Sequence, residues 1–228
     1  MKIGGFQKMT MLDYPGKIAC TVFTYGCNLR CPFCHNASLV IDGAELFSEE
    51  EILSHIIKRK GVLDGVCITG GEPLLQSDIF DFMKKIKKIG LPIKLDTNGA
   101  YPEGLKKAIE LGLVDYIAMD IKNSREKYAL TTGIEGIDTT PFEKSVEIIK
   151  SSGVDYEFRT TIVRELHTLD DMKKIGEWLK GAKRHFLQSF VDSGNLISQG
   201  LSAHSKTTLK AFRDALSEHI LQVEIRGV

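Results

Sequence analysis

Short apolar runs alternate along this chain with longer stretches in which apolar residues return every three or four positions. The short runs are bounded by turn residues, as buried strands are, and fall at about 18–24, 65–69, 93–96, 116–120, 156–162 and 185–190, with a strand-like end at 223–226. The longer stretches have helix patterning and start and stop signals. Ser48-Glu-Glu-Glu51 reads as a capping box ahead of the stripe Ile52, Leu53, Ile56 and Ile57. Ile79, Phe80, Met83, Ile86 and Ile89 repeat at helical spacing until Gly90 stops them. Pro102 opens the next helix and Gly112 closes it. Thr140-Pro141 and Glu143 mark another start, with Val146 and Ile149 on the buried side. Thr168-Leu-Asp-Asp171 caps a helix carrying Met172, Ile175 and Leu179, and a last helix is expected over about 205–218. Residues 1–17 read as short and irregular, with a turn at Asp13-Tyr-Pro-Gly16.

Strand and helix therefore alternate about six times, the signature of an α/β fold with a parallel sheet and helical crossovers. A closed eight-unit barrel needs about 250 residues. About six units in 228 residues predict an incomplete, open TIM-type barrel. With no repeat, low-complexity segment or linker, 1–228 is expected to be one domain: an N-terminal extension over 1–17, the partial barrel over 18–200, and a C-terminal helix and strand over 201–228.

Composition excludes more than it assigns. Thirty basic and thirty acidic residues cancel, which argues against a broad nucleic-acid surface. Lys84-Lys85 and Lys87-Lys88 fall on the polar side of a helix pattern and read as a solvated face. No run approaches the roughly 18 uncharged apolar residues of a membrane span. Five cysteines without a secretory signal point to a reducing cytoplasm, where metal binding or catalysis is expected of thiols rather than disulfides. Cys20 and Cys67 lie inside strand-like runs and read as core thiols.

The other three cysteines are different. Cys27-Asn-Leu-Arg-Cys31-Pro-Phe-Cys34-His35-Asn36 directly follows the first predicted strand and places three thiols at C-x3-C-x2-C spacing. Three thiolates satisfy three irons of a cubic four-iron cluster and leave the fourth open to chemistry. Other readings fit parts of the motif. Cys31-Pro-Phe-Cys34-His35 matches c-type haem attachment, which needs export, and its Cys-x-x-Cys matches a thioredoxin-like pair, which leaves Cys27 without a role. A Cys3His zinc site is open to His35, although adjacent Cys34 and His35 would strain a shared tetrahedron. Three unliganded thiols would be an oxidation liability. Polar groups recur at the other predicted strand ends: Gly70-Gly71-Glu72 after the second, Asp96-Thr97-Asn98 after the third, and Asp120 with Lys122 after the fourth. Active sites of barrel-like α/β folds lie at that end of the strands.

On these motifs the sequence resembles the radical S-adenosylmethionine enzymes and, among them, the activases of glycyl radical enzymes. Cys34-His35-Asn36, Gly70-Gly-Glu-Pro73, Asp96-Thr-Asn-Gly99 and Asp120-Ile-Lys122 match the activase pattern. Lys8-Met-Thr-Met-Leu-Asp-Tyr-Pro-Gly16 is similar to activating proteins of anaerobic ribonucleoside-triphosphate reductase. The resemblance implies an oxidoreductase that reductively cleaves S-adenosylmethionine on a 4Fe-4S cluster. The resulting radical abstracts hydrogen from a glycine of a partner, here the anaerobic reductase, with flavodoxin or ferredoxin as electron donor. Cys27, Cys31 and Cys34 would ligate the cluster. Phe33 and His35 would lie beside the cofactor, Gly70 and Gly71 would admit its ammonium close to backbone, and Glu72 would supply a negative partner. Asp120 and Lys122 would meet its ribose and carboxylate, and Asp96, Thr97 and Asp120 resemble a monovalent-cation site. The structural alternatives are loop packing for Phe33, an ion pair for Asp120 and Lys122, and capping for Asp96 and Thr97. Arg159, mid-strand, either faces the site or forms a structural salt bridge, and His55, His167, His204 and His219 are assigned no chemistry.

The sequence departs from the pattern in two places. Of the His-acidic pair that formate-lyase activases carry after the sixth strand, Phe190-Val191-Asp192 keeps only Asp192. No extra cysteines lie between His35 and Gly70, so a single cluster is implied. Competing readings are an activase of pyruvate formate-lyase or another glycyl radical enzyme, a radical enzyme acting on a small molecule or peptide, and a non-enzymatic iron–sulfur or zinc module.

Overall fold

A computed structural model describes residues 1–41 and 45–227. In chain order the elements are β1 (Ile3–Thr10), β2 (Ala19–Thr24), α1 (Ala37–Val40), α2 (Glu49–Lys58), β3 (Gly65–Gly70), α3 (Ile79–Ile89), β4 (Ile93–Thr97), α4 (Pro102–Glu110), β5 (Tyr116–Asp120), α5 (Tyr128–Thr132), α6 (Thr140–Ser151), β6 (Asp155–Ile162), α7 (Leu169–Trp178), β7 (Arg184–Ser189), α8 (Lys206–Ser217) and β8 (Gln222–Arg226). Short 3-10 turns follow β3 and β5.

The strands form one sheet in the order β1 to β8. From β2 to β8 every neighbour is parallel, and β8 does not pair back to β1, so the barrel is open. The expectation of an irregular 1–17 is corrected: β1 pairs antiparallel with β2, Phe6 opposite Val22 and Gln7 opposite Thr21. Its glycines hide it from a propensity reading, and the ladder to β2 supplies what propensity does not. A side chain at Gly5 would press on Phe23, 3.3 Å away.

Local signals account for the helix ends. Ser48 accepts from the Glu51 amide at the start of α2, and Thr168 and Asp171 cap α7 reciprocally. Gly90 ends α3 at φ +94°. Alternation along the strands sorts side chains between the helix-covered face and the lumen. In β4, Ile93 and Leu95 face one way and Lys94 and Asp96 the other; in β6, Glu157, Arg159 and Thr161 share the lumen face. The apolar face belongs to one continuous core reaching from Ile3 to Ile220.

The lumen is closed at the N-terminal ends of the strands. Tyr14 packs there with Ala19 and Tyr116, and its ring lies so close to Gly65 that a β-carbon would meet it at 2.9 Å. The Thr21 hydroxyl donates to Asp13 at 2.6 Å and anchors the same turn. The opposite end opens onto the loops that carry the conspicuous motifs. Among the described residues no helix is long and apolar enough to cross a membrane.

Candidate active site

The cysteine loop is held from three sides by backbone hydrogen bonds. The Gly26 amide donates to Leu39 O at 2.8 Å, the Arg30 amide to Thr132 O at 2.8 Å, and the Ser198 amide to Pro32 O at 2.9 Å. The Arg30 guanidinium folds back onto Cys27 O at 2.7 Å and Leu29 O at 2.8 Å. Within this frame Cys27, Cys31 and Cys34 line one cavity of about 170 Å³, whereas Cys20 and Cys67 are fully buried in the sheet, as expected of core thiols. Burial pushes the Cys27 thiol up and the Cys31 thiol to about 12, against the pull of the nearby Lys122 ammonium. Such thiols stay protonated near neutral pH unless a metal supplies the opposing charge. The Asn98 side-chain amide points at Cys27 Sγ from 3.7 Å and steadies itself on Asn28 Oδ1 at 2.8 Å. Among the described residues no three His, Cys, Asp or Glu side chains converge on a point that would hold a single ion. A cube of four irons, by contrast, lies between its ligands rather than at one shared point. A soft three-thiol donor set on a cavity wall fits a cluster of that kind.

The Gly70-Gly71 pair is required by the contact between two strand ends. Gly70 adopts φ +115°, and a β-carbon on it would stand 2.3 Å from the Thr24 amide nitrogen. A β-carbon on Gly71 would stand 1.9 Å from Gly26 O. The close approach continues the β2–β3 ladder, with the Gly71 amide on Thr24 O and the Glu72 amide on Gly26 O, each at 2.9 Å. Both glycines also line the cavity.

Glu72 does not line it. Its side chain is fully buried, and its carboxylate accepts from the Leu74 amide at 3.1 Å, the Thr97 hydroxyl at 2.8 Å and the Asn98 amide at 2.7 Å. It therefore ties the loop after β3 to the end of β4. Burial raises its pKa to about 7 despite these three donors. Thr97 is committed as well, since its oxygen also accepts from the Gly99 amide at 3.1 Å.

Opposite the cysteines lies a chain of charges. Asp96 and Asp120 end adjacent strands on the lumen side. Arg159 bridges them, giving one nitrogen to Asp120 Oδ1 at 2.9 Å and another to Asp96 Oδ2 at 3.1 Å. Lys122 Nζ takes Asp120 Oδ2 at 3.0 Å, and Lys94 Nζ bonds Asp96 Oδ1. Burial works to raise both carboxyls, but Arg159 with Lys94 holds Asp96 below its ordinary value, and Arg159 with Lys122 does the same for Asp120. Burial likewise works against the Lys122 and Arg159 charges, and the carboxylates outweigh it and keep both cationic.

Of the other expected residues, Phe33 lines the cavity with its ring centroid 6.0 Å from Lys122 Nζ. His35 lines the rim, solvent-exposed, its ring 5.9 Å from that of Phe190. Asp192 is exposed, lies off the cavity, and accepts from the Gly194 amide at 2.8 Å. Leu29, Asn36, Val40, Asn98 and Thr161 line the cavity without having been singled out. Of these Leu29 and Asn36 lie inside the cysteine motif and Asn98 follows Asp96-Thr97, so membership of a motif is the available signal for those three.

The resemblance also implied a monovalent cation at Asp96, Thr97 and Asp120. The residues do not fit one. All four carboxylate oxygens already face protein cations, and Thr97 is hydrogen-bonded in both directions.

A family model described as "Radical SAM superfamily" matches residues 21–179. A protein of Methanocaldococcus jannaschii assigned as a glycyl-radical enzyme activating enzyme is 32% identical over 192 residues, 82% of this chain and 79% of that one. The pyruvate formate-lyase-activating enzyme of Clostridium pasteurianum is 33% identical over 191 residues, 80% of this chain and 77% of the relative. In fold, the chain superposes on SuiB of Streptococcus suis, solved bound to its precursor peptide SuiA, with a TM-score of 0.69 at 15% identity. That match covers 90% of this chain and 47% of SuiB, so the chain spans about half of that larger protein.

Proposed function

The chain belongs to the radical SAM superfamily and to its glycyl-radical enzyme activating branch, and from that premise we propose that its target is an anaerobic ribonucleoside-triphosphate reductase. The observation that carries the site is the shared wall: three thiols, two glycine backbones and four charged side chains, Asp96, Asp120, Lys122 and Arg159, enclose one cavity at the open end of the lumen. When bound, the 4Fe-4S cluster and S-adenosylmethionine supply the one-electron chemistry that removes a hydrogen atom from a glycine of the partner. Cys27, Cys31 and Cys34 would hold the cluster as thiolates. Lys122 lies close enough to favour the thiolate electrostatically at Cys27 and Cys31, and the Asn98 amide donates toward Cys27 Sγ. Gly70 and Gly71 present bare backbone to the cavity, and Phe33 an apolar face. Asp120 and Lys122, each fixed by its partner, offer an acceptor and a donor that do not reorganise as ligand binds.

The reductase is favoured as target by the stretch Lys8 to Gly16, which resembles that of reductase-activating proteins. Pyruvate formate-lyase is the second reading, favoured by the similarity to the clostridial activase. A flavodoxin or ferredoxin is the expected electron donor. The deciding experiment incubates anaerobically reconstituted protein with S-adenosylmethionine and dithionite, adding either the reductase or the lyase. A glycyl-radical signal by electron paramagnetic resonance on the reductase alone supports the first reading. A signal on the lyase alone transfers the assignment to the second. Cleavage of the cofactor with a radical on neither partner removes both targets and leaves a radical enzyme acting elsewhere.

A further inference from the structure

The charged wall of the cavity carries its own cation in the place where the resemblance puts a metal ion. Asp96 and Lys94 stand two residues apart on the lumen face of β4, so strand geometry aims both into the same space. Lys94 is 2% exposed. Its ammonium meets Asp96 Oδ1, with Cys67 Sγ 3.9 Å away. Asp96 Oδ2 is taken by Arg159, whose other nitrogen holds Asp120 Oδ1, and Lys122 holds Asp120 Oδ2. Two carboxylates thus face three cations, and each of the four carboxylate oxygens has a donor nitrogen of its own, two of them supplied by Arg159. A sodium or potassium ion at Asp96 would have to displace an ammonium or guanidinium, or add a further positive charge to a buried array that already has a surplus.

We propose that the Lys94 ammonium replaces the monovalent metal ion of this site, so that the protein orients Asp96 without bound sodium or potassium. The inference builds on the reading of the cavity as the cofactor site, but its first test does not need that reading. On Lys94→Met the stem keeps its approximate length and loses its charge. Asp96 Oδ1 is then left without a partner, while Arg159 still joins Asp96 Oδ2 to Asp120.

The experiment is sodium-23 NMR line broadening on the anaerobically reconstituted protein, titrated with NaCl against choline chloride at constant ionic strength. The wild type is expected to show no saturable, potassium-displaceable sodium site, and Lys94→Met is expected to show one. Saturable sodium binding by the wild type overturns the proposal, as does a folded Lys94→Met that binds none. Should Lys94→Met fail to fold, the wild-type titration decides alone. A second arm measures S-adenosylmethionine affinity by calorimetry. Wild-type affinity should be equal in choline, sodium and potassium chloride. That of Lys94→Met should fall about tenfold in choline and recover in potassium, as expected when one partner of a buried charge pair is removed and then replaced. A wild type that requires sodium or potassium for affinity again overturns the proposal. A wild type that binds no S-adenosylmethionine in any salt defeats the functional reading instead, and the sodium titration still stands.

Discussion

At Cys31 two forces oppose each other. Burial favours the neutral thiol, Lys122 favours the thiolate, and burial prevails until metal arrives. Removing that sulfur should therefore abolish cluster retention: Cys31→Ser is expected to lose most iron and acid-labile sulfide after anaerobic reconstitution. Cys20→Ser, in the sheet and off the cavity, should keep both, and equal loss in the two variants would place the cluster elsewhere. His185 shows desolvation almost alone. It is fully buried, and its Nε2 lies 2.9 Å from Thr160 Oγ1. That hydroxyl spends its proton on Ile121 O at 2.8 Å, so His185 must donate through Nε2, leaving Nδ1 without a partner. Burial accordingly lowers the ring's pKa to about 3. Between that value and the ordinary 6.5 the unfolded chain takes up a proton that the folded chain refuses. This part of the stability is therefore complete above pH 6.5 and drains away as pH falls. Glu72 runs the other way, its raised pKa costing stability as pH climbs from 4.5 to about 7, so a difference between variants is needed to isolate the histidine. His185→Leu should gain about 2 kcal/mol on the wild type between about pH 7.5 and pH 5, read from urea midpoints. An unchanged difference across that range would mean the ring takes up its proton in the fold as readily as in the unfolded chain.

The six longer helices were legible because their ends are chemical, whereas the short α1 and α5 carry no such signal in the sequence reading. Ser48, Gly90 and the Thr168–Asp171 pair cap where their residue types say they should. β1 was not legible, because Ile3-Gly-Gly-Phe-Gln-Lys-Met-Thr10 lacks alternation and owes its strand form to β2. The site divides in the same way. The cysteines, the glycine pair and the strand-end acids could be read from spacing and from position after buried runs. The inward turn of Glu72 could not, since it depends on how the loop after β3 meets the end of β4, whereas Lys94 and Asp96 stand two apart on one strand, a pairing that alternation allows but does not dictate. The glycine pair gives an element-scale prediction in two parts. Gly71→Ala forces the ends of β2 and β3 apart, because its new methyl would lie 1.9 Å from Gly26 O, a backbone atom. Gly112→Ala meets nothing within 4 Å and bears only the cost of its φ of +62°. The first should lose about 3 kcal/mol or more and the second about 1 kcal/mol in urea unfolding. Equal losses would show that the strand-end contact is looser than drawn.

Across the whole molecule, the sheet decides which way a partner can approach. At the N-terminal ends of the strands the lumen is stoppered by the Tyr14 ring over Gly65 and the Asp13–Thr21 bond. At the C-terminal ends it is open. Among the described residues the edge at β8 is unpaired on its outer side, with Arg226 reaching over the Phe186 ring, 3.3 Å from its centroid, to the buried Glu157. A glycine-bearing segment from another protein can therefore reach the cavity only past the loops that follow β2 through β7 or beside β8. Formal neutrality, thirty charges of each sign, leaves net charge no strong say in that approach, so contact surface must do the selecting. Hydrogen exchange on the reconstituted protein, with and without its cognate glycyl radical enzyme, tests the direction. New protection is expected in residues 25–36, 98–101, 191–198 and 222–226, and none in 11–17 or 111–115 at the stoppered end. Protection confined to the stoppered end would place the partner on the wrong side of the sheet for its glycine to meet the cavity, and the activase geometry would have to be abandoned.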